Sequence, residues 1–350
     1  MYEVLSDIQH WLSANETVVL ATVVSTWGSA PRGVGAKMAL TPDGKLSGSV
    51  SGGCVEGAVF DAGIQAVRSG KPQLLHFGVS DETAFTVGLA CGGNIEVFVK
   101  PLDVAFFRFV QAEIEKGAPL AIITIIQGSS DYLGRELLLS SSGTVQGELG
   151  PGLDEPGRQA GQIALEKGQP GSVPVKLASG DEFRLFVDVV SPPPTLVMVG
   201  GVHIAIALAS LAKTLGFHTV VIDPRRAFGN QERFSHADRL IQAWPQEAFG
   251  RIALTRSTAV AMLTHDPKID DPALMIVLDS PVFYVGALGS RNTHEKRLHR
   301  LQEQGVAAEK LARLYAPIGL DLGGRTPEEI ALSIMAEIVA VRHGRRSQLI

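Results

Sequence analysis

The two cysteines of the sequence, Cys54 and Cys91, both lie in glycine-rich segments. The glycines next to them are Gly52, Gly53, Gly92 and Gly93. Cys54 comes just before a predicted helix, where unpaired backbone N–H groups and the positive end of the helix dipole favour a thiolate or an anionic ligand. A small buried hydrophobic residue is the ordinary alternative for a free cysteine, but the shared Gly-Gly setting favours a functional role. Neither segment supplies a second Cys or His close by, which argues against a structural zinc site.

The segment 26–35 follows the first strong predicted strand. It combines small residues, hydroxyls, one tryptophan and one arginine, Arg32. A loop wrapped round a phosphate-bearing heterocycle would have this composition, and so would a long surface loop. The composition leaves both interpretations open.

A glycine-rich turn of the kind that binds dinucleotides begins at Gly200. It lies between a predicted buried strand (195–199) and an apolar helix that begins near His203. Asp223 ends the next strand, where an acidic residue binds ribose hydroxyls in dinucleotide enzymes. Val202 replaces the second glycine of the G-x-G-x-x-G/A pattern, and its stiff β-branched side chain obstructs a pyrophosphate. The context therefore predicts a Rossmann-like fold in which NAD(P) binding is weak or absent.

Three more loops follow predicted strands of the second half, at 264–266, 286–291 and 317–321. Ligands of open α/β sheets collect beyond the carboxyl ends of the strands. The polar side chains that become site candidates for this reason are His265, Asp266, Ser290 and Arg291. A helix-capping loop explains His265 and Asp266 equally well, because Asp is a favoured cap.

The elements that position these loops fall into two predicted domains. The sequence Ser-Pro-Pro-Pro at 191–194 predicts a stiff extended linker, with one domain at 1–190 and another at 195–350. Strands alternate with helices in the second domain, which indicates an α/β, Rossmann-like domain with a parallel sheet. Its strands are predicted at 195–199, 219–222, 258–263 and 282–285. Its last helix begins at Thr326, which is followed by Pro327 and by Glu329 at capping-box distance.

The first domain is predicted to be mixed α+β. Helices are expected at 2–13, 55–68 and 104–116, and strands at 18–24, 37–40, 45–49, 95–99 and 120–126. Residues 104–190 are a candidate subdomain of their own. No internal repeat is apparent in the sequence.

Charge and composition exclude several classes of protein. The net charge is −5, the pI is near 6.0, and no basic stripe is present, so a nucleic-acid partner is not expected. No apolar stretch is long enough to span a bilayer, and the N-terminus is acidic where a signal peptide is basic. Two cysteines do not form a disulfide framework. We therefore expect a cytoplasmic protein with free thiols and no membrane partner.

Together these motifs resemble the XdhC/CoxI family of xanthine dehydrogenase accessory factors. The matching segments are Ser-Gly-Gly-Cys-Val-Glu-Gly at 51–57, Cys-Gly-Gly-Asn-Ile-Glu-Val at 91–97, and residues 221–225, 263–266, 284–291, 316–321 and 326–331. They follow the family order and leave mainly 104–190 unmatched. The family's Rossmann turn usually reads G-x-G-H-V-A, so Val202 is a departure that puts nucleotide binding, though not the fold, in question.

The resemblance implies a protein that binds molybdenum cofactor (molybdopterin), assists its sulfuration and passes it to xanthine dehydrogenase or a related molybdenum hydroxylase. It assigns the contact with the ligand and its metal to Cys54 and Cys91. It also suggests a homodimer, and a cysteine desulfurase is a further candidate partner. The candidate cofactor-binding residues of the first half are Arg32, Gly52, Gly53, Cys54, Glu56, Cys91, Gly92 and Gly93. Those of the second half are Gly200, His203, Asp223, His265, Asp266, Ser290 and Arg291.

Two hypotheses from different classes remain at this stage. The first is a cofactor chaperone without turnover. The second is an NAD(P)-dependent oxidoreductase that uses the Rossmann half, with Cys54 or His265 in catalysis. Val202 argues against the second, and so does the lack of an evident Tyr/Lys or Ser/His/Asp set.

Overall fold

A computed structural model describes residues 1–78 and 93–345 of the chain. The chain divides into two compact units, Met1–Pro192 and a second unit that begins at Pro193. The division falls inside the run of three prolines. This run belongs to no helix or strand, because proline lacks the N–H group that both structures require.

The first unit contains, within the described residues, two runs of the same elements in the same order: helix, three strands, helix, two strands. Copy 1 consists of α1 (Tyr2–Ser13), β1 (Val19–Trp27), β2 (Lys37–Leu40), β3 (Leu46–Gly48), α2 (Glu56–Ser69), β4 (Gln73–Phe77) and β5 (Asn94–Pro101). Copy 2 consists of α3 (Val104–Glu115), β6 (Leu120–Gln127), β7 (Glu136–Ser140), β8 (Val145–Gly147), α4 (Asp154–Lys167), β9 (Gly171–Lys176) and β10 (Glu182–Val190).

Each copy forms one five-stranded antiparallel sheet. The strand orders are β3-β2-β1-β5-β4 and β8-β7-β6-β10-β9, which are the same order once the strands are numbered within their copies. The expectation of no internal repeat is therefore wrong at the level of structure. The candidate subdomain 104–190 is the second copy of the module.

The strand registers show which positions of the two copies are equivalent. Thr22 lies opposite Lys37 in copy 1, as Thr124 lies opposite Glu136 in copy 2. Both long central strands bulge at the same point, so that Val24 in β1 and its counterpart in β6 have no direct partner in the neighbouring strand. A bulge shared at the same register position supports a common module and not a chance similarity of order.

The glycines that end β3 and β8 are equivalent as well. Gly48 has φ of 72° and Gly147 has φ of 80°. A Cβ atom on Gly48 would lie 2.3 Å from the carbonyl oxygen of Lys37, and one on Gly147 would lie 2.3 Å from that of Glu136. Both positions need glycine for the same two reasons, a left-handed backbone and a close approach to the first residue of the neighbouring strand.

The two sheets meet through residues at equivalent positions. Val24, Phe98, Ile126 and Phe186 form one apolar cluster at this contact. In the registers above, Val24 corresponds to Ile126 and Phe98 to Phe186. Each equivalent pair is therefore packed in the same cluster, as expected where two copies face each other across an approximate two-fold axis.

Two buried ion pairs follow the same rule. Lys37 Nζ lies 2.8 Å from Asp188 of the other copy, and Lys100 pairs with Glu136. Lys37 is equivalent to Glu136, and Lys100 is equivalent to Asp188. The contact is thus reciprocal in position and inverted in charge. Since like charges at these positions would repel, the inversion allows two similar sheets to pack polar groups against each other.

The second unit confirms the predicted Rossmann-like fold. Its strands are β11 (Thr195–Val199), β12 (His218–Ile222), β13 (Arg239–Ile241), β14 (Thr258–Met262), β15 (Tyr284–Ala287) and β16 (Leu314–Tyr315). All pairs are parallel, and the order is β13-β12-β11-β14-β15-β16. Its helices are α5 (His203–Thr214), α6 (Pro245–Phe249), α7 (Pro267–Asp279), α8 (Arg291–Glu303), α9 (Ala308–Leu311) and α10 (Pro327–Arg342).

The start of the last helix of this unit agrees with the capping box that the sequence predicts. Helix α10 begins after Thr326, and both hydrogen bonds of the capping box to Glu329 are present. The strand predicted at 282–285 instead occupies Tyr284–Ala287. Gly286 of this strand packs directly against Ile318, where a Cβ atom would lie only 2.5 Å away.

We expect the buried ion pair between Lys37 and Asp188 to be much more sensitive to loss of one partner than to loss of both. Lys37→Met should lower the free energy of unfolding by about 3–5 kcal/mol, because it leaves the Asp188 carboxylate uncompensated. The double variant Lys37→Met/Asp188→Leu should recover most of that loss. A cavity of about 30 Å³ that borders both side chains gives room for the larger leucine.

Urea denaturation followed by circular dichroism measures this difference. Lys176→Met is a matched control, because Lys176 forms an exposed pair with Glu182 and exposed pairs contribute about 0–1 kcal/mol. A single variant as stable as the double variant would show that the pair does not hold the sheets together.

Candidate functional site

The loop that carries Cys54 is organised by the carboxylate of Glu56, the first residue of α2. This carboxylate accepts hydrogen bonds from the hydroxyls of Ser49 and Ser51 at 2.6 and 2.5 Å. It also accepts from the backbone N–H groups of Val50, Ser51, Gly52, Gly53 and Val55. Burial by itself would raise the pKa of Glu56, but the hydrogen bonds from Ser49, Ser51 and the backbone lower it to about 2. The group is therefore an anion enclosed by the loop.

This arrangement corrects one expectation. The sequence predicts a loop that offers unpaired N–H groups to a ligand, yet Glu56 already occupies these groups. Glu56 itself, proposed as a cofactor-binding residue, has its carboxylate turned into the loop. The sequence could not show this, since it depends on the direction of one side chain at the start of a helix.

Cys54 is half-buried and lies against the apolar core between α2 and its sheet. Its N–H group donates to Ser51 Oγ at 3.0 Å, and the same hydroxyl donates to Glu56. The cysteine is a free thiol. Glu56 thus holds the Ser51 hydroxyl, and this hydroxyl holds the backbone N–H of Cys54, so Glu56 organises the backbone that carries the thiol.

A second loop, residues 28–36 between β1 and β2, lies beside the Cys54 loop. Arg32 Nε donates to the carbonyl of Ser49 at 3.2 Å, and Arg32 also pairs with Glu3 of α1. A Cβ atom on Gly52 would lie 3.8 Å from Pro31. Arg32, a candidate binding residue, therefore ties the two loops together and already has an acidic partner.

Gly93, which follows Cys91 in the sequence, lies against the loop 28–36. A Cβ atom on Gly93 would lie 2.6 Å from the carbonyl oxygen of Ser29 and 3.0 Å from that of Trp27. Gly93 therefore packs against the loop after β1, which only a glycine can do at this distance. Cys91 and Gly92 lie outside the described residues, so the proximity of Cys91 to Cys54 stays a prediction.

The counterpart loops of copy 2 show what is particular to copy 1. Asp154, equivalent to Glu56, accepts hydrogen bonds from the N–H groups of Leu149 and Gly150 at 2.6 and 3.3 Å. The loop it holds, Glu148–Leu153, contains no cysteine. The connection from β4 to β5 covers residues 78–93 and carries Cys91, whereas the turn from β9 to β10 covers only 177–181. Copy 2 keeps the scaffold and lacks both thiols.

In the second unit, Asp223 at the end of β12 is fully buried and engaged. It accepts hydrogen bonds from the N–H of Gly201 at 2.8 Å and from the guanidinium of Arg225 at 2.9 and 2.7 Å. Burial would raise the pKa of Asp223, but these partners lower it below its ordinary value. The acidic residue expected to bind a ribose is instead used to hold the turn that begins at Gly200.

That turn leads into helix α5 at His203, as predicted from the sequence. Val202 is the N-cap residue and provides no side-chain hydrogen bond. It lines an open groove of about 480 Å³, together with Arg225, His265 and Asp266. The valine side chain therefore stands at the place where a Rossmann enzyme brings its backbone to a pyrophosphate.

The remaining candidates of this edge lie at helix starts. Asp266 Oδ1 accepts from the N–H of Lys268 at 3.0 Å and caps α7. Ser290 Oγ accepts from the N–H of Thr293 at 3.2 Å and caps α8. Exposed His203 and Arg291 are the first residues of α5 and α8. The capping interpretation accounts for Asp266 and Ser290. Of the four candidates that follow strands, His265 and Asp266 line the groove, whereas Ser290 and Arg291 do not.

Sequence reasoning missed a buried polar cluster under the same edge. The Thr264 hydroxyl donates to Asp270, which lies 3.6 Å from the guanidinium of Arg297. Burial raises the pKa of Asp270 to about 7, and it lowers the pKa of Arg297. No local signal distinguishes these residues, because Asp270 is one of two adjacent aspartates and Arg297 belongs to a highly charged helix.

Residues 1–78 and 93–345 contain no group of three or more His, Cys, Asp or Glu side chains placed to hold a metal ion. A search of the same residues finds no helix with the length and apolar character that crossing a membrane requires.

Comparisons with known proteins agree with this architecture. The model of the XdhC and CoxI family matches residues 11–78, and the model of the XdhC Rossmann domain matches residues 196–338. A Bacillus subtilis protein named as a probable xanthine dehydrogenase component is 29% identical over 338 residues, which are 95% of this chain and 95% of that protein. The molybdenum cofactor insertion chaperone PaoD from Escherichia coli is 27% identical over 332 residues, 95% of this chain and 85% of that protein.

A solved structure shares the fold. A crystal structure described as a xanthine dehydrogenase from Bacillus halodurans superposes with a TM-score of 0.78 and 23% identity. The match covers 98% of this chain and 96% of that one.

The role of Glu56 leads to a specific expectation for the reactivity of Cys54. Glu56→Gln replaces a carboxylate by an amide with one acceptor oxygen, so several loop N–H groups lose their partner. We expect the loop to loosen and the rate of Cys54 alkylation by iodoacetamide to rise at least about threefold. The measurement uses Cys91→Ser protein, in which Cys54 is the one thiol of the sequence.

Asp154→Asn is the matched control, since it replaces the equivalent carboxylate of copy 2 by an amide in a loop that carries no cysteine. It should leave the alkylation rate of Cys54 unchanged. If both variants changed the rate equally, a general loss of stability would be the cause and Glu56 would not position Cys54.

Proposed function

Because the chain belongs to the XdhC and CoxI family, we propose that it binds molybdenum cofactor in copy 1 and delivers it to a molybdenum hydroxylase of the xanthine dehydrogenase type. The cofactor is cargo in this proposal, and the chain acts as a chaperone without turnover. Two names support a role in cofactor delivery. PaoD is named as a molybdenum cofactor insertion chaperone, and the Bacillus subtilis relative is named after xanthine dehydrogenase.

One observation supports placing the bound cofactor in copy 1. The two copies of the first unit share strand order, register and the acidic residue that holds the helix-start loop, yet they differ in their cysteines. Where a scaffold is duplicated, function is expected in the part that one copy has and the other lacks. In copy 1 this part consists of the Cys54 loop, the loop 28–36 and the segment that ends at Gly93.

The chemistry of the described residues of copy 1 suits a thiophilic metal centre better than an anionic group such as a phosphate. A thiol or thiolate is a soft ligand that suits a thiophilic metal centre, and Cys54 carries one on a loop whose N–H groups are already hydrogen-bonded to Glu56 and Ser51. The backbone N–H groups of the same loop are occupied by Glu56, so they offer no cradle for the phosphate of the cofactor. We assign Cys54 the contact with the sulfur- and molybdenum-bearing end, and propose Cys91 as its companion.

We extend the proposal to the family's finer roles, which include assistance in sulfuration, contact with a cysteine desulfurase and formation of a homodimer. The high apolar content of the chain, 45%, is compatible with self-association. Sedimentation at micromolar concentration that detects only monomer would contradict the dimer.

Cofactor retention tests the assignment of Cys54. The protein is produced in a host that makes molybdenum cofactor, desalted, and analysed for molybdenum and for fluorescent oxidised pterin per chain. We expect Cys54→Ala and Cys54→Ser to retain less than about a tenth of the wild-type amount, because the soft sulfur contact is lost in both.

Ser179→Ala is the control for this measurement, because Ser179 lies in the short turn of copy 2 that replaces the Cys91 segment. It should retain the wild-type amount. Retention by Cys54→Ala equal to wild type would assign Cys54 to the core of copy 1 and remove the basis of the proposed site.

The alternative is an NAD(P)-dependent oxidoreductase, and the parallel sheet with its open groove is the observation in its favour. Two features of the groove oppose it. Val202 occupies the pyrophosphate approach, and Asp223 is bound to Gly201 and Arg225, so it cannot also accept from a ribose.

We therefore expect isothermal titration of the intact protein with NAD⁺ and NADP⁺ to show no binding tighter than about 1 mM, a free energy of roughly −4 kcal/mol. Asp223→Asn should not create binding, because Val202 still obstructs the turn. Micromolar affinity of the wild-type protein for either nucleotide would restore the oxidoreductase hypothesis.

A further inference from the structure

Trp27 is the most exposed large apolar residue of the described part of the chain, with 73% of its surface accessible to solvent. Tryptophan is rarely fully buried but is highly buried on average, and most of its large apolar surface is here in water. The other tryptophans of the sequence differ from it, since Trp11 is 6% exposed in the core and Trp244 is 50% exposed in the second unit.

The strand position that Trp27 occupies has no counterpart in strand β6 of copy 2. Strands β1 and β6 are equivalent up to Ser25 and Gln127, which both follow the shared bulge. Strand β6 ends there, whereas β1 continues for Thr26 and Trp27. The extension beyond the common scaffold thus ends on the exposed indole, in the copy that carries the cysteines.

The backbone under this indole is fixed although the side chain is free. Trp27 pairs with Asn94 in the register of β1 and β5. Gly93 packs so closely on the same segment that a Cβ atom would lie 3.0 Å from the Trp27 carbonyl oxygen. An aromatic side chain on an ordered strand can bind a flat ligand at low cost in conformational entropy.

The loop that follows Trp27 is the one that contacts the Cys54 loop. Arg32 donates to the carbonyl of Ser49, and Pro31 faces Gly52. Trp27 and Cys54 therefore belong to one group of adjoining loops at the same end of the copy 1 sheet.

We propose that Trp27 supplies the stacking surface for the flat pterin ring system of the cargo whose sulfur- and molybdenum-bearing end contacts Cys54. This inference rests on the proposed function and adds to it a residue that recognises the heterocycle. Tryptophan presents the largest π surface of the natural side chains, and stacking on it needs no backbone N–H group. That property matters beside the Cys54 loop, whose N–H groups are held by Glu56.

Binding of freshly released molybdenum cofactor to the intact protein tests the proposal, with affinity measured by ultrafiltration under anaerobic conditions. Trp27→Ala should weaken binding about tenfold or more, within the range measured when aromatic stacking on a nucleobase is removed. Trp27→Phe should stay within about threefold of wild type, because a smaller ring still stacks. Trp244→Phe is the control and should bind as wild type.

Indole fluorescence gives a second, independent readout. The cofactor should quench part of the emission of wild type and of Trp244→Phe, and that part should be absent in Trp27→Phe. Circular dichroism establishes that each variant is folded.

Three results would overturn the proposal. If Trp27→Ala binds as wild type while Cys54→Ala does not, the proposed function stands and the stacking role is wrong. If Trp27→Ala binds as wild type but no longer transfers cofactor to a hydroxylase, the indole contacts the partner protein instead. If wild type itself does not bind, the proposed function fails and the stacking role fails with it.

Discussion

The contact between the two sheets of the first unit is the interaction on which its other features depend. Neither five-stranded sheet can leave its second face in water, because that face is apolar at its centre, where Val24, Phe98, Ile126 and Phe186 meet. Helices α1 and α3 cover part of these faces, and each sheet covers part of the other. The charges that are buried between the sheets are neutralised in pairs across the copies. Copy 2 thus contributes to the burial of the copy 1 sheet, whatever its loops contain. Because this burial depends on strand residues, the loops of the two copies can differ. Copy 1 carries the cysteines and the strand extension to Trp27.

Both units use a carboxylate of the chain itself to shape a glycine-rich loop. Glu56 takes the N–H groups of Gly52 and Gly53, and Asp223 takes that of Gly201. A bound anion would satisfy such groups in a phosphate-binding loop, but here the protein supplies the anion. The loops are consequently ordered before any ligand arrives. What they can offer to a ligand is the side chains on their rims, a thiol in copy 1 and the valine and histidine of the groove in the second unit.

The sequence was sufficient for features that depend on local signals. The capping box at Thr326 and the alternation of strands with helices beyond the prolines gave correct elements, and the parallel sheet followed from them. The duplication is not visible in the sequence because only scattered equivalent positions, such as Gly48 and Gly147, carry the same residue. Lys37 corresponds to Glu136 and Lys100 to Asp188, so the residues that make the copies fit together are those that differ most in chemistry. The engagement of the loop N–H groups by Glu56 and the cluster around Asp270 were also beyond the sequence, since both depend on where side chains point after packing.

Hydrogen–deuterium exchange of the whole protein, compared with and without molybdenum cofactor, tests the central claim that cargo is bound by the loops particular to copy 1. The account predicts added protection in residues 27–36 and 49–55. It predicts no change in the counterpart loops 128–135 and 148–153, nor at the carboxyl edge of the parallel sheet around residues 200–203 and 264–266. Protection at that edge or in copy 2, with the copy 1 loops unchanged, would contradict the account.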